Sequence, residues 1–184
     1  MNVPNAITLA RLLSVPFIGW LVVLESYGWA LTAFALAGVS DAVDGFLARV
    51  LDQRTPLGAT LDPAADKLLL VMAFATLWWV GRVPDWLLSV VFVRDLILSG
   101  AYWGLFAMGR RLPVRPTGLG KLTTVVQLAL VAWLLFAATA PAARWAPPEV
   151  PGWLSVLVAL VTVVSGLHYL WIGYGMVRGD LKQP

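Results

Sequence analysis

Six apolar stretches, at residues 7–24, 29–50, 61–80, 86–108, 122–140 and 153–176, take up most of the 184 residues and leave the chain few ways to fold. A helix needs roughly 20 residues, at about 1.5 Å each, to cross the hydrocarbon of a bilayer. Lipid offers the backbone no hydrogen-bond partner, so segments that enter it must pair their own N–H and C=O groups as helices. Composition agrees: 60% of residues are hydrophobic and 12% charged, against roughly 25% charged in soluble domains. Glycine and proline punctuate the gaps, at Gly28, Pro56 with Gly58, Gly81 with Pro84, Pro113 to Gly118, and Pro147 to Pro151, and these are read as loop chemistry. The start of the chain lacks a basic region followed by a small-residue cleavage site, so the first stretch is expected to be a retained span. The sequence thus predicts an all-α integral membrane protein with six transmembrane helices, forming one domain over residues 1–184 without internal repeats.

An even number of spans places both termini on one side, and the cations then sort by face. Arg11, Arg49, Arg54, Lys67, Arg110, Arg111, Arg115, Lys121, Arg178 and Lys182 fall on the side of the termini, and only Arg82 and Arg144 on the other. The positive-inside rule makes the basic side cytoplasmic. The expected setting is the cytoplasmic (inner) membrane, multi-pass, with both termini inside. Trp78, Trp79, Trp86, Trp145 and Trp153 fall near the predicted outer ends, at the level of the headgroups, whereas Trp133 lies in mid-span and is expected to pack.

Several chemistries are excluded early. Without cysteine there is no disulfide or thiolate chemistry, and a single histidine, His168, makes no multi-histidine metal cluster. The net charge of +3 comes from cations scattered among loops, with no stripe that would bind nucleic acid.

Half of the ten acidic residues crowd into "SDAVDGFLARVLDQRTPLGATLDPAADK", residues 40–67. Asp41 and Asp44 are spaced to share one helix face, as are Asp62 and Asp66. The first pair is expected to close a descending helix and the second to open an ascending one, with a turn at Pro56 and Gly58 between them. Four carboxylates brought together near a membrane repel strongly. Protonation would relieve this, but divalent cations do so more cheaply near neutral pH. An all-oxygen donor set suits Mg²⁺ or Mn²⁺, and four carboxylates are enough for two ions. Gly45 and Ala48 continue the face of the first pair and leave room for a ligand or for close helix approach. Arg49 is placed to meet a phosphate, and Lys67 could join it. Asp52 is read as an ordinary loop residue. The pattern implies a phosphoanhydride held by metal at the cytoplasmic surface. A transporter is the competing class, but its site would lie nearer the bilayer midplane.

Written out, these residues are Asp41, Asp44, Gly45, Ala48, Arg49, Gly58, Asp62 and Asp66, in the spacing D-x-x-D-G-x-x-A-R-x8-G-x3-D-x3-D. This resembles the signature of the CDP-alcohol phosphotransferases at every defined position, and the six-span layout extends the likeness to nearly the whole chain. The resemblance implies transfer of a phosphatidyl group from CDP-diacylglycerol to an alcohol with release of CMP, in a polar cavity open to the cytoplasm. It implies metal ligation by Asp41, Asp44, Asp62 and Asp66, with Asp66 also the general base on the acceptor hydroxyl. It further implies CDP contacts at Gly45, Ala48, Arg49 and Gly58, and a homodimer. The segment Asn2 to Arg11, with Pro16 beyond it, is similar to the N-terminal region of the phosphatidylglycerophosphate synthase and CMP-forming cardiolipin synthase branches. Asn5, Thr8 and Arg11 share one side of a helix; they either line the headgroup cavity, with Asn5 and Thr8 near the CDP, or serve as a cap and an interfacial arginine.

For the acceptor, Arg94, set beside Asp95 in an apolar stretch, is expected to meet a phosphate, helped by Lys121 and Thr124 and, more weakly, by Gln127. The alternative for Arg94 and Asp95 is internal charge balance. Phosphatidylglycerophosphate synthases commonly carry a second arginine where this chain has Tyr102. Glycerol-3-phosphate, a phosphomonoester of charge about −2, gains more from that cation than phosphatidylglycerol does. The pattern therefore tips toward phosphatidylglycerol, with glycerol-3-phosphate as the alternative because Arg110, Arg111 and Arg115 could replace the absent charge.

Overall fold

The computed structural model describes residues 3–50, 56–107, 117–139 and 150–178, with side chains over 9–40, 65–101, 104, 117–139, 152–175 and 178. Six helices fill the described residues: α1 (Val3–Val23), α2 (Tyr27–Val50), α3 (Pro56–Trp79), α4 (Asp85–Ala107), α5 (Gly118–Ala137) and α6 (Val150–Arg178). Each overlaps one predicted apolar stretch. The main difference is α3, which begins at Pro56 and carries Gly58 inside it, so the expected turn at those residues is helical. The reason is that proline suits the first turn of a helix, where its missing N–H would have had no partner and its fixed φ is already helical. Asp62 and Asp66 consequently lie roughly two to three turns inside α3, and Asp41 and Asp44 a similar distance inside the end of α2.

The helices divide into two compact units, one of α1, α2, α3 and the end of α5 from Val131, the other of α4, the start of α5 to Leu130, and α6. In the first unit α1 packs against both α2 and α3. Its buried stripe is Arg11, Val15, Ile18 and Val22, at successive steps of four, three and four. Phe74 and Leu77 of α3 and Ala30 and Phe34 of α2 are buried in the same unit. At Gly19 a Cβ would come within 3.2 Å of Met72 Cε and Thr76 Cγ2, so the glycine lets α1 and α3 approach closely. Arg11 meets Asp66 and Gly19 meets Met72 and Thr76, so α1 and α3 run in the same direction.

Both α1 and α3 end in the same C-terminal motif. The Ser26 N–H donates to the Leu21 carbonyl and that of Glu25 to Val22; the Arg82 N–H donates to Leu77 and that of Gly81 to Trp78. Each motif needs a left-handed residue, supplied by Gly81 (φ 75°) and, at some strain, by Glu25 (φ 56°). The guanidinium of Arg82 then lies 4.6 Å from the centre of the Tyr27 ring, tying the end of α3 to the start of α2.

In the second unit α6 lies against α4, and α5 crosses to α6 through Gln127 to Thr162 and Thr117 to Tyr169, which makes α5 and α6 antiparallel. The polarity of α6 is inverted relative to a soluble helix. Ser155, Thr162 and Ser165 are buried, whereas Trp153, Leu160, Leu167 and Trp171 are exposed. Small hydroxylated residues inside and bulky apolar ones outside are the arrangement expected where the surroundings are lipid. Among the described residues, Gly118–Ala137 and Gly152–Gly175 are long and apolar enough to cross a membrane. Trp78, Trp79, Trp86 and Trp153 are exposed at helix ends, as expected of headgroup anchors. Trp145 lies outside the described residues, and Trp133 packs beside Phe136 with ring centres 5.9 Å apart.

Candidate active site

Of the four signature carboxylates, Asp66 is the one whose side chain is described. Oδ1 of Asp66 accepts a hydrogen bond of 2.8 Å from Nη1 of Arg11, whose side chain is wholly buried while that of Asp66 is 45% exposed. The placement follows from local sequence. Arg11 sits one turn before Val15 on the buried stripe of α1, and Ala65 and Leu69 hold the adjoining part of α3 in the core. Asp66 therefore projects from the edge of a packed face, gripped on one side and accessible on the other. Arg11 was expected either to line a headgroup cavity or to lie at the interface. A guanidinium with no exposed surface does not fit the interfacial reading, and its bond to Asp66 places it behind the carboxylate of the candidate site.

Asp41, Asp44, Gly45, Ala48 and Arg49 lie on α2, Gly58 and Asp62 on α3, and Asn5 and Thr8 on α1, but their side chains lie outside the described ones. Arg110, Arg111 and Arg115 lie outside the described residues altogether. Among the described residues no group of three or more His, Cys, Asp or Glu side chains is placed to hold a metal ion. The donor set that the helices bring into play is nonetheless chemically consistent. It consists of carboxylates alone, paired at helical spacing on α2 and on α3, both of which pack against α1. Hard oxygen donors of this kind fit Mg²⁺ or Mn²⁺.

In the second unit Arg94 donates from Nη1 to Asp95 Oδ1 at 2.9 Å and from Nη2 to Ser165 Oγ at 3.2 Å. Its Nε is buried and has no hydrogen-bond partner among the described residues. Lys121 and Thr124 are exposed on α5, and the Thr124 hydroxyl donates to its own helix at the Gly120 carbonyl. Gln127 is buried and donates to Thr162 Oγ1 at 3.3 Å, so it faces α6 and not the row of Lys121 and Thr124. Between α4 and α6 runs a groove of about 290 Å³ lined by Val90, Val93, Ile97, Val163 and Leu167. Its surface is almost wholly apolar, although Ser89, Arg94 and Thr162 also contribute to the lining.

Three partnerships were not read from sequence: Arg11 with Asp66, Arg94 with Ser165, and Tyr169 with the start of α5. At Arg11 a signal was present, since a charge within an apolar helix implies a partner, but its identity depends on the packing of α1 on α3. Tyr169 accepts the Thr117 N–H at 3.1 Å, while Thr117 Oγ1 caps the helix by accepting the Gly120 N–H at 3.2 Å.

The family model for CDP-alcohol phosphatidyltransferase matches residues 1–172. The chain is 34% identical over 193 residues to the CDP-diacylglycerol--glycerol-3-phosphate 3-phosphatidyltransferase of Escherichia coli, covering 98% of this chain and 97% of the relative. The protein of the same name from Salmonella typhimurium is 33% identical with the same coverage. Human cardiolipin synthase (CMP-forming) is 32% identical over 195 residues, which cover 96% of this chain but 63% of the human protein. With the signature intact from Asp41 to Asp66 and the match running through nearly every helix, the chain belongs to the CDP-alcohol phosphatidyltransferase family.

Proposed function

We propose that this protein transfers the phosphatidyl group of CDP-diacylglycerol to glycerol-3-phosphate, releasing CMP, at the cytoplasmic face of the membrane. The observation that carries the reaction is the half-exposed carboxylate of Asp66, held by a buried arginine at the end of a complete family signature. A carboxylate at that position takes the proton of the acceptor hydroxyl as its oxygen attacks the β-phosphorus and the bond to CMP breaks. Asp41, Asp44, Asp62 and Asp66 would hold the divalent ions, which when bound offset charge on the diphosphate and on departing CMP. Arg49 lies next in the signature for the diphosphate.

On the acceptor, the absence of a second arginine at Tyr102 tips the sequence toward phosphatidylglycerol. The relatives matched over 97% of their own length are named for glycerol-3-phosphate, and they weigh more than one position. Arg94, whose side chain keeps 16% exposure beside Asp95, supports a phosphate contact there, and Lys121 is exposed on α5 to add a second charge. The parallel run of α1 and α3, the antiparallel run of α5 and α6 and the exposed apolar faces support six alternating spans with both termini in the cytoplasm.

The test is the purified chain in detergent with CDP-diacylglycerol and Mg²⁺ or Mn²⁺, offered either acceptor, with CMP quantified and the lipid product identified by mass. Phosphatidylglycerophosphate is expected, and chelation should abolish its formation. Cardiolipin as the sole product would overturn the acceptor, and no CMP with either acceptor would overturn the reaction.

A further inference from the structure

Resting on the reading of Asp66 as the base, we propose that Arg11 is its positioning residue, fixing the direction of the carboxylate without touching either substrate. The pair is asymmetric. Arg11 has 0% of its side chain exposed and Asp66 45%, so substrate can reach the carboxylate but not the guanidinium. The 2.8 Å separation is that of a charge-assisted hydrogen bond, which restricts the rotation of a side chain otherwise open on one face.

The backbone behind Arg11 is itself fixed. The Ser14 hydroxyl donates to the Arg11 carbonyl at 2.7 Å, and the close approach at Gly19 sets the register of α1 on α3. Packing alone does not call for an arginine here. Removing a guanidinium from water is costly, and an apolar side chain of similar volume would join two apolar helices as well or better. Its charge therefore serves orientation, and a base misplaced by about 1 Å loses on the order of 10²-fold in rate.

Steady-state CMP release by the full chain in detergent, with each substrate varied, tests this. At saturating Mg²⁺ or Mn²⁺, Arg11→Gln should lower kcat about 10- to 100-fold while both KM values stay within about twofold, because neither substrate touches the guanidinium and the reacting geometry is what is lost. Arg11→Lys, which keeps the charge but not the planar fork, should recover a large part of kcat. In an Asp66→Glu background, where the carboxylate is already displaced, Arg11→Gln should cost at most about a third as much on a logarithmic scale. A rise in either KM with kcat intact would make Arg11 a substrate contact and overturn the proposal. So would equal loss in the Gln and Lys variants accompanied by a fall in thermal stability, which would mark a purely structural residue. If wild-type chain releases CMP and the Arg11 variants match it, only the positioning role falls. If wild-type chain releases none, the functional reading falls and this role with it.

Discussion

Adding one methyl group at Gly120 should unseat the start of α5. A Cβ there would stand 2.7 Å from Tyr169 Oη and 3.3 Å from its Cε2, inside van der Waals contact with a rigid ring that cannot fold away as a flexible side chain would. Tyr169 must move, and with it goes the hydrogen bond that its hydroxyl accepts from the Thr117 N–H. Overpacking of this kind costs about 2 kcal/mol. The lost bond costs about 1 kcal/mol, while replacing glycine by alanine inside a helix returns about 1 kcal/mol. Gly120→Ala should therefore destabilise by about 2 kcal/mol overall. Tyr169→Phe alone forfeits the hydrogen bond, about 1 kcal/mol. In the double variant the hydroxyl that causes the clash is gone and the helix gain remains, so it should stand close to wild type, with a coupling of about 2 kcal/mol or more. Equilibrium denaturation of the four proteins in mixed micelles measures the cycle. Additivity within about 0.5 kcal/mol, or a Gly120→Ala protein stabilised like an open helical site, would refute the reasoning.

Two further outcomes follow from the same geometry. Asp66→Asn keeps the shape of the side chain but removes the proposed base, and should cut CMP release by about 10²- to 10⁴-fold while lowering the denaturation midpoint, because the buried Arg11 guanidinium loses its counter-charge; wild-type-like release would remove Asp66 from the chemistry. Gln127→Leu takes the donor from a buried hydrogen bond to Thr162 and should cost about 1 to 2 kcal/mol, whereas Gln127→Leu combined with Thr162→Val should be nearly neutral. If both proteins lost the same stability in denaturation, that bond would not be what Gln127 contributes.

The two centres differ in how their charges are held. Arg11 is enclosed and Asp66 open, whereas Arg94 and Asp95 are both largely covered, at 16% and 20% exposure, within one helix. In the first centre the anion is presented; in the second a partly covered cation is held by Asp95 and Ser165. An open carboxylate suits proton removal from an alcohol.

Sequence alone determined the six helices and the signature from Asp41 to Asp66, because run length, glycine and proline placement, and the i,i+3 and i,i+4 spacing of acids are local properties of the chain. It misplaced the turn at Pro56 and Gly58, since the same two residues serve a loop or the first turn of a helix and only the extent of α3 distinguishes them. Which face of each helix is inside was not legible. In α6 nearly every side chain is apolar, so no stripe stands out until packing turns Ser155, Thr162 and Ser165 inward and Trp153 and Leu160 outward. The partner of Arg11 was decided by tertiary structure for the same reason. A buried charge announces that it needs a counter-charge, but the parallel docking of α1 on α3 through Gly19 is what makes that counter-charge Asp66, 55 residues away.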